Sequence, residues 1–512
     1  MITNALIRKY LTLGVIVSFF VTGILPSLSE NISSGEQTSG SMPDNGVLDV
    51  PYIYNITKAL SNIVFTEYDE ENGEIARGRA FGTVGEHKAA EILYENMTKL
   101  GLYTTKEKLK TRYPGDWIIS QVDVLDYKLK INNETNSLIV DCAPQITKVD
   151  SKTVGKLSRL QLNYNFSGLK IRREHPSSKN DEEDYVLLEK RSVQNFTFSG
   201  KTLIDMIKEK INSSRPLKRL LDRISQRQYP HYKGRIIYYP DNKDTHDMNY
   251  FGINGLPTFF INGTIGAMID ADIEEYTADF YLEQRLNRSV ESYNVIGQLN
   301  GTDPSKTVII DCLYDSWWCQ GTGDSAIGMA MVLGIAKYFR DHNITPKYTI
   351  KFIAFGGEES GCRGSIYYVS THLTEKIIYV IDLNQLGFKQ IEPKLRLEVV
   401  GNNRKSLNEI WKIVSQTDYI NRTENVTGVF KIFSIIGHNS DDRIFTMWSL
   451  LMPFRNCKTV CFLKNGQWLY HHRDGLNHTE GDVLDYFDWN DVNVTGEIIL
   501  NVTKYITVGC IG

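Results

Sequence analysis

The chain has 512 residues, 41% of them hydrophobic and 23% charged, with a formal net charge of −4. That length accommodates two or more domains with sizeable cores, and the slightly acidic balance gives nucleic acid no reason to be a partner. Seven cysteines are too few to staple a chain of this size, so apolar cores must carry the fold. Cys312 and Cys319, like Cys457 and Cys461, are close enough in sequence to bridge, but no pairing is assigned and no second Cys pair follows to suit zinc.

The N-terminus carries Arg8 and Lys9 and then an uncharged apolar run, Tyr10 to Leu28, so residues 1–29 read as a signal peptide or signal anchor. Pro26, Ser27 and Ser29 favour cleavage. Residues 30–47 are polar and read as a flexible linker. Sixteen N-x-S/T sequons, from Asn31 to Asn501, agree with export. The expectation is an extracellular or cell-surface glycoprotein, membrane-anchored if residues 10–28 are kept, with every sequon acceptor at the surface.

Along the chain, "RAFGTVGEHKAAEILYENMTKLGL" (79–102) predicts a helix. Thr83 and Glu86 form a capping box, Ala90, Leu93, Met97 and Leu100 share one face, and Gly101 ends it. From 131 to 290 the texture changes to short β-like runs ("NSLIVDCAP", "GRIIYYP", "LPTFFING", "GAMID"), a helical piece near 202–213 and many charges, which predicts an inserted domain. Its basic stretch, 151–235, is interrupted by "NDEEDY" and reads as a solvated face. The catalytic domain is then split into 48–130 and 291–512.

From 306 the pattern alternates. "KTVIIDCLY" is a buried strand, "AIGMAMVLGIAKYF" a helix, "KYTIKFIAFG" a strand, "RGSIYYVSTHL" a helix and "KIIYVIDLN" a strand. This predicts an α/β fold: a mostly parallel mixed sheet with helices on both faces, its site beyond the carboxyl ends of the strands. Acids stand at those ends. Asp315 and Asp324 follow the first strand, Glu358 and Glu359 the second, and Asp382 and Asn384 close the third, while His478 lies near the C-terminus in "NHTEGDVLD". Convergent carboxylates and a histidine are a zinc donor set, and a further carboxylate beside the ligands can take a proton from water. Asp324 also has the option of capping the helix that follows. Trp317, Trp318 and Trp468 are either pocket-lining or packing residues, and Cys362 reads as a buried thiol without an adjacent base.

"GTGDSAIG", "FIAFGGEESGCRGSIYYV" and "NHTEGDVLD", in this order and spacing, resemble the M28 family of zinc aminopeptidases and carboxypeptidases. The region 131–290, with "LPTFFING", is similar to the protease-associated (PA) domain that some members insert. The resemblance implies Asp324, Glu359 and His478 as metal ligands, Glu358 as general base and Asp315 as the aspartate of a His-x-Asp pair. The departures are specific. Leu313 takes the place of that pair's histidine, Asn384 that of an aspartate ligand, and Ser440-Asp441-Asp442 that of a Ser-Asp-His. In two-zinc members the first two missing groups serve the same ion, so the pattern implies one zinc rather than two. Asp382, on the same strand face as Asn384, with Asp442, His471 or His472, is a possible substitute.

The resulting expectation is an exported metallopeptidase that cleaves terminal peptide bonds of peptide or protein substrates, aminopeptidase action being favoured. Zinc is the cofactor, one ion with two as the alternative. Two rival readings stand beside it: a catalytically inactive M28-like receptor, and a single-zinc glutaminyl cyclase-like aminoacyltransferase, which "GTGDSAIGMAMVLGIA" also resembles.

Overall fold

The computed structural model describes residues 48–63, 68–69, 74–75, 78–109, 121–140, 142–145, 159–173, 184–190, 232–240, 257–287, 291–317, 319–387, 397–416, 440–451, 456–463, 478 and 481–508. The expectations for residues 1–47, the helix near 202–213, Trp318, Trp468, His471, His472 and the sequon at Asn477 lie outside them.

The central feature is a seven-stranded sheet in the order β16-β17-β15-β13-β14-β12-β3. Its members are β3 (Tyr103–Lys108), β12 (Tyr293–Leu299), β13 (Asp303–Leu313), β14 (Tyr348–Phe355), β15 (Ile377–Leu383), β16 (Glu398–Gly401) and β17 (Lys458–Leu463). Parallel pairing joins β14, β13, β15 and β17, while β12, β3 and β16 pair antiparallel at the edges. The parallel strands are apolar on both sides because both faces are covered. One face packs on α1 (Val50–Ser61), α2 (Val84–Lys99), α4 (Ile327–Asp341), α6 (Arg404–Gln416) and α8 (Trp489–Val508). The other packs on α5 (Arg363–Thr371) and α7 (Asp441–Leu451). Helix α4 is buried around nearly its whole circumference, and a Cβ at Gly328 would meet the Leu383 carbonyl oxygen at 2.4 Å, so only glycine lets it press onto β15.

Local signals explain the helix ends. In α2 the Glu86 amide donates to Thr83 Oγ1 at 3.3 Å, but the Glu86 carboxylate returns to the amide of Gly82 rather than that of Thr83. Gly101, at φ +72°, closes the helix in the left-handed region.

A second, eight-stranded sheet has the order β5-β4-β11-β7-β8-β9-β10-β6 and its own apolar core. It comprises β4 (Gln121–Asn132), β5 (Ser137–Val140), β6 (Cys142–Gln145), β7 (Arg159–Arg172), β8 (Tyr185–Lys190), β9 (Tyr232–Tyr238), β10 (Thr258–Ile261) and β11 (Thr277–Asn287). A two-residue pairing of β1 (Tyr68–Asp69) with β2 (Glu74–Ile75) forms a separate two-stranded sheet. The boundary drawn at 131 falls inside β4, whose first ten residues therefore belong with this second sheet. "GAMID" is not a strand: it lies in α3 (Gly263–Ala271), because the Asn262 side chain accepts the Ile265 amide at 2.9 Å and starts a helix.

Two further expectations are corrected. No disulfide joins any two of the six described cysteines. Cys457 and Cys461 are four residues apart on extended chain, about 13 Å, too far for a disulfide. Asn501 is 6% exposed within α8, so this sequon acceptor is not a surface position.

Candidate metal centre

The site is built where β13, β14 and β15 end. Beyond Leu313 the chain leaves β13, and the fully buried Arg79 fixes its path. The Arg79 guanidinium donates to the carbonyls of Tyr314 (2.8 Å), Leu60 (3.2 Å), Gln320 (2.5 Å) and Gly321 (2.9 Å), and its amide donates to Ser316 Oγ at 3.0 Å. The loop then enters a wide turn, Thr322–Ala326, that leads into α4. Asp482 holds that turn by accepting the amides of Gly323 at 2.7 Å and Asp324 at 3.2 Å. Asp324 does not cap α4. Its carboxylate points away from the helix, to His478 and Gln385.

After β14 the chain turns through Gly357, at φ +72° with Phe81 against the space a side chain would need. Glu358 and Glu359 follow. The Asp315 carboxylate accepts both their amides, Glu358 N to Oδ1 at 3.0 Å and Glu359 N to Oδ2 at 3.2 Å. One side chain from β13's end thus sets the direction of two from β14's end. Glu358 keeps partial exposure as a residue.

His478 completes the cluster. Its Nε2 lies 2.6 Å from Asp324 Oδ2 and 3.2 Å from Glu359 Oε1, and its ring stacks on Trp317 with centroids 3.5 Å apart. One donor atom from each of Asp324, Glu359 and His478 lies within 4.8 Å of the others. Gln385 Nε2 donates to Asp324 Oδ2 at 2.9 Å. Cys362, Gln385 and His478 all adopt positive φ without being glycine. Such conformations cost of order 1 kcal/mol or more each and gather where the surrounding fold imposes them.

The electrostatics are those of acids crowded out of water. Burial first, then Glu359, Asp441, Asp324 and Asp315, hold the Glu358 carboxyl well above the usual range. Burial pushes Glu359 up to about 7, against the pull of His478. Burial opposes charge on His478, but Glu359 and Asp324 outweigh it and hold the imidazole well above its ordinary value. The field that draws protons to Glu358, Glu359 and His478 also draws a divalent cation. One nitrogen and two oxygens converging on a nearly buried point fit zinc and leave a fourth position open.

The structure brings Asp324, Glu359 and His478 together, with Glu358 and Asp315 beside them. Leu313 is wholly buried in the apolar core, and Asn384 donates to Ser440 Oγ at 3.0 Å. Asp382 and Asp442 do not replace the missing ligands: their donor atoms group with Cys461 instead. Cys362 Sγ lies 3.9 Å from Glu358 Oε1, and burial pushes its thiol up, which disfavours the thiolate. Sequence reasoning missed Arg79, Gln385 and the role of Asp482. The last is the aspartate of His478-Thr-x-x-Asp, so its motif position was a usable signal. Arg79 and Gln385 carry none.

Comparison with known proteins bears on the family and the fold. Residues 294–503 match the family model described as peptidase family M28. Aminopeptidase YwaD of Bacillus subtilis is 29% identical over 116 residues, 22% of this chain and 23% of that protein. A probable glutamate carboxypeptidase of Arthroderma benhamiae is 34% identical over 84 residues, 16% of this chain and 12% of that protein. The matches thus span between about an eighth and just over a quarter of the curated relatives' own length. Among solved structures, the zinc aminopeptidase BSAP from Bacillus subtilis has a TM-score of 0.56 at 16% identity, covering 91% of this chain and 96% of that one. A peptidase M28 precursor from Shewanella amazonensis has a TM-score of 0.58 at 14% identity, covering 99% and 98%. At these identities the structures show a shared fold.

Proposed function

Residues 294–503 form a peptidase family M28 domain, and from that premise we propose that the chain is a metallo-exopeptidase with one zinc at its reacting centre. The observation that carries this is the convergence of Asp324, Glu359 and His478 beside a partly exposed Glu358. When bound, the ion supplies Lewis-acid polarisation of the scissile carbonyl. Glu358 takes the proton of the attacking water on its carboxylate and passes it to the leaving amine. Asp315 keeps the Glu358–Glu359 turn in place through the two amide hydrogen bonds. Trp317, stacked on His478, excludes water from one side of the imidazole.

A single ion is supported by the chemistry of the vacated positions. Leu313 cannot ligate, Asn384 is engaged with Ser440, and Gln385 donates to the carboxylate that a second, shared ion would need. Aminopeptidase action is the preferred specificity, in line with the aminopeptidases YwaD and BSAP. We read the eight-stranded lobe as a PA-like insert and the chain as exported, on the apolar run Tyr10–Leu28 and the sequons. No described helix is long and apolar enough to cross a membrane.

The test is Glu358→Gln, assayed on a panel of aminoacyl and peptide substrates with metal counted by mass spectrometry. Metal should be kept and turnover should fall about 10²–10⁴-fold. A loss below about tenfold removes Glu358 as the base, and a wild-type chain inactive on the whole panel favours a binding protein.

A further inference from the structure

A second group of ligating side chains lies on the sheet itself. Asp311 of β13 is in register with Asp382 of β15, and Asp382 with Cys461 of β17. In-register residues of neighbouring strands project to the same face, about 4.8 Å apart, so these three side chains form a row across the sheet. Helix α7 begins over that row: the Asp442 amide donates to Asp382 Oδ2 at 3.4 Å. One donor atom from each of Asp382, Asp442 and Cys461 lies within 4.8 Å of the others. Asp311, Asp382, Asp441 and Cys461 are 0% exposed and Asp442 is 4% exposed.

Here a separate observation points to a ligand. Among the described residues, neither carboxylate oxygen of the fully buried Asp311 has a hydrogen-bond partner, and Asp441 Oδ2 has none. Asp441 Oδ1 accepts the hydroxyl of Ser365. The groups whose charges act on Asp311 are Asp382, Asp441 and Asp442, all acids. Arg443 acts on Asp442 and is one positive charge against four carboxyls. A buried carboxylate with no donor at either oxygen is costly unless a cation meets it or a proton neutralises it.

We propose that Asp382, Asp442 and Cys461, completed by Asp311, form a second, enclosed metal site that takes a divalent ion of the zinc class. Three carboxylates and one thiolate are four donors, the number zinc takes in closed structural sites. Zinc–oxygen bonds of about 2.1 Å and zinc–sulfur bonds of about 2.3 Å require only a small contraction of the donors of Asp382, Asp442 and Cys461, already within 4.8 Å of one another, while Asp311 approaches from the adjacent register position. The thiolate selects zinc over magnesium or calcium, and an enclosed site suits an ion that gives up its water, which magnesium does reluctantly. The site shares no residue with Asp324, Glu359 and His478. Its ion ties β13, β15 and β17 to α7 and, through Ser365 on Asp441, braces the helix that follows the Glu358–Glu359 turn. The role is structural, and the inference stands whether or not the chain is a peptidase.

The test uses the full chain prepared with cobalt in place of zinc. A thiolate-to-cobalt charge-transfer band is expected in the wild type, in His478→Ala and in Cys362→Ser, and should be absent from Cys461→Ser. Mass-spectrometric counting should show one equivalent lost in Cys461→Ser and in Asp311→Asn, and one equivalent retained in His478→Ala. Should Cys461→Ser fail to fold, the wild-type spectrum and the His478→Ala count still decide the matter. The proposal is overturned by a wild type without the band, by a band that survives Cys461→Ser, by Cys461→Ser binding as much metal as the wild type, or by His478→Ala holding none. In those cases protons, not a cation, neutralise the four acids.

Discussion

Gln385 Nε2 donates to Asp324 Oδ2 across 2.9 Å, from a backbone position at φ +51°. The amide orients a carboxylate whose same oxygen faces His478 Nε2 at 2.6 Å. Groups that orient a metal ligand typically carry 10–100-fold in metal affinity. Gln385→Met keeps the volume and removes the donor, so zinc affinity measured by chelator competition should fall by about that factor. Unchanged affinity would mean the hydrogen bond does not orient the ligand.

The vacated positions can be refilled. Leu313→His with Asn384→Asp restores an imidazole and a carboxylate, and should raise the metal count by one equivalent over the wild type. Leu313→His alone should add less, because its imidazole would face an incomplete set of donors while occupying an apolar core position. A double variant that binds no additional metal would show that Gln385 and Ser440 hold the site closed.

Arg79 is the support for the loop that carries Asp315 and Asp324. Arg79→Met leaves the carbonyls of Leu60, Tyr314, Gln320 and Gly321 without their charged donor in a dry site. Hydrogen bonds to charged groups are worth about 1.5–3 kcal/mol each, so the loss in urea unfolding should exceed about 3 kcal/mol. A variant within 1 kcal/mol of the wild type on that scale (roughly the cost of one neutral hydrogen bond) would refute this support.

Glu86 gives a pH signature. It is wholly buried, accepts Ser292 Oγ at 2.7 Å, and is pushed well above the ordinary glutamate range, first by burial and then by Asp315. Its folded-state pKa therefore exceeds its unfolded value, and the native chain holds the extra proton between the two. No stability is lost below the unfolded value of about 4.3, and stability falls as pH rises from there toward the raised folded value. Glu86→Gln should flatten this fall by up to about 1.4 kcal/mol per pH unit, read from urea unfolding between pH 5 and 8. Equal pH slopes in wild type and variant would show that Glu86 ionises normally.

Much of the framework was legible in the chain. The alternation from 306 onward named strands β13, β14 and β15 and helices α4 and α5, because burial on both faces forces long apolar runs and sites in such sheets gather at strand ends. That rule was enough to pick Asp315, Asp324, Glu358 and Glu359 from the acids of the sequence, with His478 taken from its own motif. Tertiary structure alone decided the rest. A 16-residue helix and a cap are local events, whereas Arg79 reaches carbonyls 235 to 242 positions away and Asp482 reaches amides 158 and 159 positions away. "GAMID" reads as a strand by composition, but one side-chain cap at Asn262 makes it helical. Asp382 and Asp442 looked like substitutes for a lost ligand because sequence places them near the right motifs. Strand register instead aligns Asp382 with Asp311 and Cys461, on a face that the sequence does not label, since period-two alternation tells which residues share a side of one strand but not which strands are neighbours.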